Sequence, residues 1–293
     1  MSLEWQTRPS LREPIIVCAF KGWNDAGEAA SAAVQFLCEA FDAAPLAMID
    51  PEDFYDFTAV RPTVRLVDGR SRAIDWPENS FHAARVQTAE RDLIMLRGVE
   101  PSLRWKAFCA NVLEVAEATG AGMIVTLGAL LADVPHSRPV GITGLASTEG
   151  LVERLGFERT NYEGPTGIVG VLHATCAKAG MGSVSLWAPV PHYVAATPNP
   201  KAALALVRGF EGIAGIAVDA SRLEGASEDY DRQVTAAVAS DPDVKAFVER
   251  LEEMADEMSE EEGPPEQLPS GDTIAREFQR FLRQRRPGGP DPG

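Results

Sequence analysis

Three short segments hold most of the side chains in this sequence that could do acid–base or ligand chemistry. Lys21, Asn24 and Asp25 stand in residues 21–27, with Trp23 among them as an apolar platform. Asp133, His136, Ser137 and Arg138 stand in residues 128–139, and His192 and Tyr193 in residues 189–198. An aspartate beside an imidazole can act as orienter and general base, or the two can ligate a metal. Backbone N–H groups at a helix start near Gly27 could hold an anion. Each residue also has an ordinary structural role open to it. Asp25 is placed to cap a helix. His136, between Pro135 and Ser137, and His192, after Pro191, suit plain loops, and His173 beside Leu172 suits a packed helix. Trp23 fits an oligomer contact as well as a ligand shelf. Asp133-x-x-His136 is not a recognised metal spacing, and H-E-x-x-H, Walker A, G-x-S-x-G and G-x-G-x-x-G are all missing. No catalytic set, metal or cofactor is expected on these grounds.

The elements that must position these groups are readable from the apolar pattern. Residues 15–20 form an unbroken apolar run, the mark of a strand buried on both faces of a sheet. A helix rich in alanine follows, and Asp25 with Glu28 predicts a D-x-x-E capping box at its start. Residues 123–127 and 183–188 repeat the buried-strand pattern, each followed by one of the other two segments. If the three strands are parallel, all three segments share one sheet edge, where α/β proteins usually bind ligands. Further strands are expected at 46–50, 81–86, 92–97 and 140–145. Asp68-Gly69 marks a hairpin between 63–67 and 70–75 that suggests a mixed sheet. Helices are expected from Pro101 to about Ala118, closed by Gly120, over 149–155, and from about Gly167 to Ala179. Asn199 and Pro200 begin another as cap and first position. It either ends near Gly209 or uses Gly209, Gly212 and Gly215 for close packing. The alternation predicts an α/β fold: a three-layer αβα sandwich on a mainly parallel, mixed sheet.

Four patches carry a family resemblance. FKGWNDAGEAA (20–30), GPTGIVGVL (164–172), PHYVAATPNPKAA (191–203) and LPSGDTIAREFQRFL (268–282) together resemble bacterial members of the PAC2 family, named after a proteasome assembly chaperone. The resemblance spans nearly the whole chain. It implies a fold similar to nucleoside phosphorylases and some peptidases, and protein-interaction or assembly work rather than a catalytic residue set. Proteasome subunits are the partners it suggests. The hydrophobic-Tyr-any ending by which such factors dock into core-particle pockets is replaced here by Pro-Asp-Pro-Gly, so docking by the C-terminus is not expected.

Composition narrows the partners. The 293-residue chain carries a net charge of −16, which disfavours nucleic acid and anionic membranes. It lacks an apolar span long enough for a bilayer and a signal-like start, and its four cysteines form no C-x-x-C, so a cytoplasmic protein with reduced thiols is expected.

The acidity is concentrated in one place. Residues 224–262 hold fourteen acids against three bases. The expected organisation is therefore an α/β core over 1–221, a helical appendage over 222–286 and a disordered tail over 287–293. Three amphipathic helices are read in the appendage. Ser227 caps the first, with a stripe of Tyr230, Val234, Ala237 and Val238. Asp241 caps the second, with a stripe of Val244, Phe247, Leu251, Met254 and Met258. Ser270 or Asp272 caps the third, after a Gly263-Pro264-Pro265 linker. Its stripe is Ile274, Phe278, Phe281 and Leu282, and its polar face is basic through Arg276, Arg280, Arg283, Arg285 and Arg286. Packing within one chain and docking on a partner are both open for these helices. The expected function is a non-catalytic assembly protein that also forms homo-oligomers, with a trimer as one stoichiometry. The alternative is a hydrolase- or phosphorylase-like enzyme or small-molecule binder using the three-segment edge.

Overall fold

The computed structural model describes residues 3–147, 152, 163–194 and 198–262. The elements run β1 (Leu3–Trp5), β2 (Ile15–Lys21), α1 (Ala29–Ala40), β3 (Ala44–Ile49), β4 (Thr63–Val67), β5 (Ser71–Asp75), β6 (Asn79–Ala84), β7 (Leu93–Val99), α2 (Trp105–Thr119) and β8 (Met123–Ala132). They continue through β9 (Thr143–Ala146), α3 (Ile168–Ala179), β10 (Gly182–Pro191), α4 (Pro200–Ala214), α5 (Ser221–Ala239) and α6 (Pro242–Glu262). The expected helices at 149–155 and 272–282, the 263–265 linker and the 287–293 tail lie outside the described residues, apart from Val152.

Eight strands form one mixed sheet in the order β1-β3-β6-β7-β2-β8-β10-β9. The central β7, β2, β8 and β10 are mutually parallel, while β6 and β9 flank them antiparallel. With β3, five of the eight strands run the same way. The unbroken apolar run of β2 serves both faces by alternation. Ile15, Val17 and Ala19 enter the core beneath α1 and α4, whereas Ile16, Cys18 and Phe20 enter the core beneath α2 and α3. This is the three-layer αβα sandwich the pattern predicts. No helix among the described residues is long and apolar enough to cross a membrane.

Several local expectations are corrected. The hairpin β4–β5 turns at Asp68 and Gly69, both left-handed (φ 51 and 67), but forms its own two-stranded ribbon outside the main sheet. The sheet is mixed because of β1, β6 and β9. Strands β8 and β10 pair in register from Met123↔Gly182 to Ala132↔Pro191. The second and third segments are therefore partly strand, and free loop begins only at Asp133 and His192. Among the described residues, nothing pairs with the outer edge of β10 beyond Trp187, which is where a strand tolerates Pro189 and Pro191. Helix α2 starts at Trp105 rather than Pro101, after Arg104 takes a left-handed conformation (φ 55), and Gly120 (φ 69) closes it as expected. Helix α4 runs to Ala214 and ends on Gly215 (φ 65). A Cβ on Gly209 would stand 3.2 Å from Leu186 Cδ1, so that glycine admits close packing of α4 on β10.

Helix α5 begins at Ser221, which places Ser227 in the helix interior rather than at its cap. Its Leu223 is buried in the core shared by α1 and α4, and Arg222 and Glu224 pair with Glu39 and Arg208. Asp241 does cap α6, accepting from the N–H groups of Asp243 (3.0 Å) and Val244 (3.3 Å). The inner face of α6 is centred on Val248 and Leu251, with Val244 and Phe247 half-buried. Met254, expected in the seam, is 49% exposed.

Candidate functional site

Strands β2, β8 and β10 lie side by side and parallel, so the three segments share one sheet edge. The polar groups on that edge nevertheless separate into two sets.

The first set surrounds the end of β2. Asn24 is buried: its carbonyl accepts the Ala129 N–H (2.8 Å), and its side-chain amide donates to Glu100 Oε1 (3.3 Å). The same Glu100 oxygen accepts the N–H of Ile168 (2.8 Å), the first residue of α3. A free N–H at a helix start needs such an acceptor. Gly167 fits against this node because a Cβ there would lie 2.2 Å from Asn24 Nδ2 and 2.7 Å from Glu100 Oε1.

Asp25 caps α1, though not through the predicted box. Gly27 and Glu28 are both left-handed (φ 59 and 50), so the helix proper starts at Ala29. Asp25 Oδ1 reaches across that turn to accept from Ala30 N (2.8 Å) and Ser31 N (3.0 Å). Glu28 turns away to pair with Lys21 (3.1 Å). Burial raises the Asp25 pKa, and the hydrogen bonds from Ser31 and Ala30 oppose that rise. Trp23 stands 45% exposed at the rim. Beside Lys21 and Glu28 runs an open groove of about 390 Å³, walled also by Gln35, Trp76, Arg97 and Pro198.

The second set lies beyond β8 and β10, under the C-terminal helices. His192 Nδ1 meets Asp133 Oδ1 at 3.0 Å, and its ring packs edge-on against Phe247 of α6. Tyr193 Oη accepts the His136 backbone N–H (2.7 Å) and lies 2.9 Å from His136 Nδ1. The tyrosine proton therefore goes to Nδ1. That leaves the imidazole proton on Nε2, which points at Thr235 Oγ1 of α5 (3.1 Å). Lys201 donates to the His136 carbonyl and to Asp231 Oδ2 of α5 (2.8 Å). Ser137 bonds Glu252, and Arg138 forks onto Asp256 of α6 with two 2.7 Å bonds. A space of about 100 Å³ remains between loop and helices, lined by His136, Asn199, Lys201 and Tyr230 among others.

The structure thus brings Asp133, His136, His192 and Tyr193 together and gives Lys21, Asn24 and Asp25 other partners, in Glu28, Glu100 and the start of α1. Sequence reasoning missed Glu100, Thr235, Glu252 and Asp256, which look like solvent-facing polar residues when read alone. Lys201, at the start of α4, carried no signal beyond its place in a resembling patch. Among the described residues, no group of three or more His, Cys, Asp or Glu is placed to hold a metal ion.

Burial lowers the His136 pKa; Asp231 opposes the shift and Lys201 adds to it. A depressed histidine pKa stabilises the fold above its unfolded value of about 6.5, and that stability is lost as pH falls through the window below it. His82 and His173 are lowered too, both mainly by burial. Unfolding free energy is therefore expected to fall between pH 7 and pH 5, by up to about 1.4 kcal/mol per pH unit for each imidazole that stays neutral. Urea titrations of wild type and His136→Gln across that range should show a shallower slope in the variant. Equal slopes would remove His136 from the account.

The fold and this edge define a class: an αβα sandwich whose strand-end loops are held under a pair of C-terminal helices. The chain belongs to the PAC2 family, whose model matches residues 19–238. It is similar to a PAC2 family protein from Streptomyces avermitilis, with 44% identity over 80% of this chain and 99% of that one, at a TM-score of 0.75. It is similar also to a proteasome-assembly chaperone homologue of Mycobacterium tuberculosis, with 41% identity over 80% and 99% of the chains and a TM-score of 0.74. An archaeal proteasome activator from Pyrococcus furiosus shares the fold, with 17% identity over 80% and 97% of the chains and a TM-score of 0.66. No curated protein matches the chain.

Proposed function

We infer that this protein is a non-catalytic, chaperone-like assembly protein of the cytoplasm, acting as a homo-oligomer on protein partners that include proteasome subunits. The carrying observation is the use to which the reactive-looking edge is put. His136, Lys201, Ser137 and Arg138 are bonded to Thr235, Asp231, Glu252 and Asp256 on α5 and α6, while Tyr193 is bonded to His136 and His192 to Asp133. Polar groups engaged in this way position a helical surface and are not poised for a substrate. The kinship with a proteasome-assembly chaperone homologue supports the same reading and suggests the partner. In this proposal the appendage over residues 222–286, beside the 1–221 core, is the part that meets partners.

The test is native mass spectrometry of the full chain mixed with proteasome α subunits from its own source organism. A stable mixed complex, or faster appearance of assembled rings, is the expected result. If the α subunits assemble at the same rate and no mixed species forms, the proteasome reading falls.

One observation favours the second reading, a small-molecule binder: the groove beside Lys21, Trp76 and Arg97 has the volume of a ligand site. A thermal-shift screen of nucleosides, nucleotides, phosphate and divalent metals, repeated on Arg97→Ala, separates the two. A ligand whose shift disappears in the variant would support binding at this groove.

A further inference from the structure

We propose that the β4–β5 hairpin of one copy docks on the outer face of α6 of a second copy of this chain. The hairpin is a separate two-stranded ribbon, and such ribbons are marginally stable in water unless something covers them. Its register sets Val64 opposite Ile74 and Leu66 opposite Arg72, so these four side chains share one face. That face is open: Val64 is 61%, Leu66 63% and Ile74 53% exposed. Three adjacent apolar residues bared on one ribbon face mark a surface meant for contact.

Charge selects the occupant. Arg61, Arg65, Arg70 and Arg72 outnumber Asp68 and Asp75 across the hairpin, which makes it a basic island on a chain of net charge −16. Only Arg65 has an ion-pair partner within the hairpin, Asp75 at 2.9 Å. The complementary surface exists on the same chain. Glu249, Glu253 and Glu257 follow one another at four-residue spacing along α6, so they stand on one side, and all three are exposed. Met254, 49% exposed, lies at the flank of that side next to Glu257, and Arg250 and Lys245, the latter 3.7 Å from Glu249, stand along its edges. An apolar face edged with arginine and a helix side that carries three glutamates with a methionine at its flank complement each other in charge and offer each other an apolar contact.

One molecule does not bring them together. The hairpin leaves the sheet between β3 and β6, on one wing, whereas α6 sits over the ends of β8 and β10 on the other. Among the described residues no hydrogen bond or ion pair joins them. The match is therefore made between copies, and two different patches meeting in this way close as a reciprocal pair or as a ring. The surface is distinct from the His136–Tyr193 edge and does not depend on any proteasome partner.

The test is a charge swap in the full chain, read by native mass spectrometry and light scattering at several ionic strengths. Arg70→Glu with Arg72→Glu, and separately Glu253→Arg with Glu257→Arg, should each weaken self-association on the order of 100-fold. Combining the four substitutions should restore it. Val64→Asp with Leu66→Asp should dissociate the oligomer without lowering the thermal midpoint of the monomer. All of these side chains are exposed, and the α6 pair tests the contact independently if a hairpin variant folds poorly. A monomeric wild type overturns the proposal. So does an oligomer indifferent to both charge reversals, or a four-fold variant that stays dissociated. A variant lacking residues 263–293 that becomes monomeric would give the role of α6 to that segment and overturn it equally.

Discussion

Asp92→Ala is expected to cost about 3 kcal/mol of unfolding free energy, a loss unusual for one small polar residue. Asp92 is fully buried just before β7 and its carboxylate is saturated with donors. Oδ2 accepts from Arg12 N (2.8 Å) and, at 3.4 Å, from Arg12 Nε. Oδ1 accepts from Arg12 Nη2 (2.6 Å) and Val86 N (3.1 Å). These bonds tie the segment entering β2 to the turn that joins β6 to β7. Alanine would strand the Arg12 and Val86 N–H groups without an acceptor. Asp92→Asn keeps the shape and one acceptor, so a cost nearer 1 kcal/mol is expected for it.

The pH dependence gives a second check. Burial alone would raise the Asp92 pKa, but the bonds from Arg12 and Val86 outweigh it and hold the carboxyl below its usual value. Its contribution is thus full above about pH 4, the unfolded value, and fades as pH falls through the lower folded one. The gap between wild type and Asp92→Ala in urea should narrow on acidification below pH 4. A gap under about 0.5 kcal/mol at pH 7 would mean that the cluster carries no net stability.

What the sequence makes legible follows from how local each interaction is. The strands at 15–20, 123–127 and 183–188 are visible because a strand buried on both faces must be apolar at every position, whatever its neighbours. The Asn199-Pro200 start of α4 is visible because a cap acts within three residues, and Asn199 does accept from Ala202 N (3.0 Å). The predicted Asp25–Glu28 box fails for a local reason with a subtle signature. Two successive left-handed residues delay the helix, and Glu28 gives no sign of adopting that conformation.

The remainder was hidden because it is non-local. Asp92 reads as a lone acid at a strand start, yet its main partner lies 80 residues away. Glu100 caps a helix that begins 68 residues later. Composition placed the acidic helices of 222–262 as an appendage. It did not reveal that Thr235, Glu252 and Asp256 would reach down to His136, Ser137 and Arg138. The family patches make sense in the same terms. FKGWNDAG and GPTG meet at the Asn24–Glu100–Gly167 node, and PHY joins the Tyr193–His136–Thr235 chain. These motifs specify how the loops lock together.

Glycine shows most sharply how one residue type carries opposite meanings that only the packed structure separates. At Gly98, within β7, a Cβ would fall 1.8 Å from Asn79 Oδ1 and 2.6 Å from the Glu78 carbonyl oxygen. The second clash is with the backbone of the neighbouring chain segment, so no side-chain rotation relieves it. Gly98→Ala must therefore push the start of β6 away from β7 and disturb the buried bonds of Asn79 and Tyr55 to the Val99 carbonyl. The same displacement would shift Glu78 and Trp76, which wall the groove and carry the hairpin. A loss of about 3 kcal/mol is expected, at the upper end for overpacking because backbone has to move. Gly212 is the control: it sits inside α4 with nothing within 4 Å of its would-be Cβ. Alanine there should instead gain about 0.5–1 kcal/mol from helix propensity and reduced unfolded-state freedom. Urea midpoints of the two variants should move in opposite directions. If Gly98→Ala unfolds with wild type, the close β6–β7 contact is not what holds the hairpin's base in place.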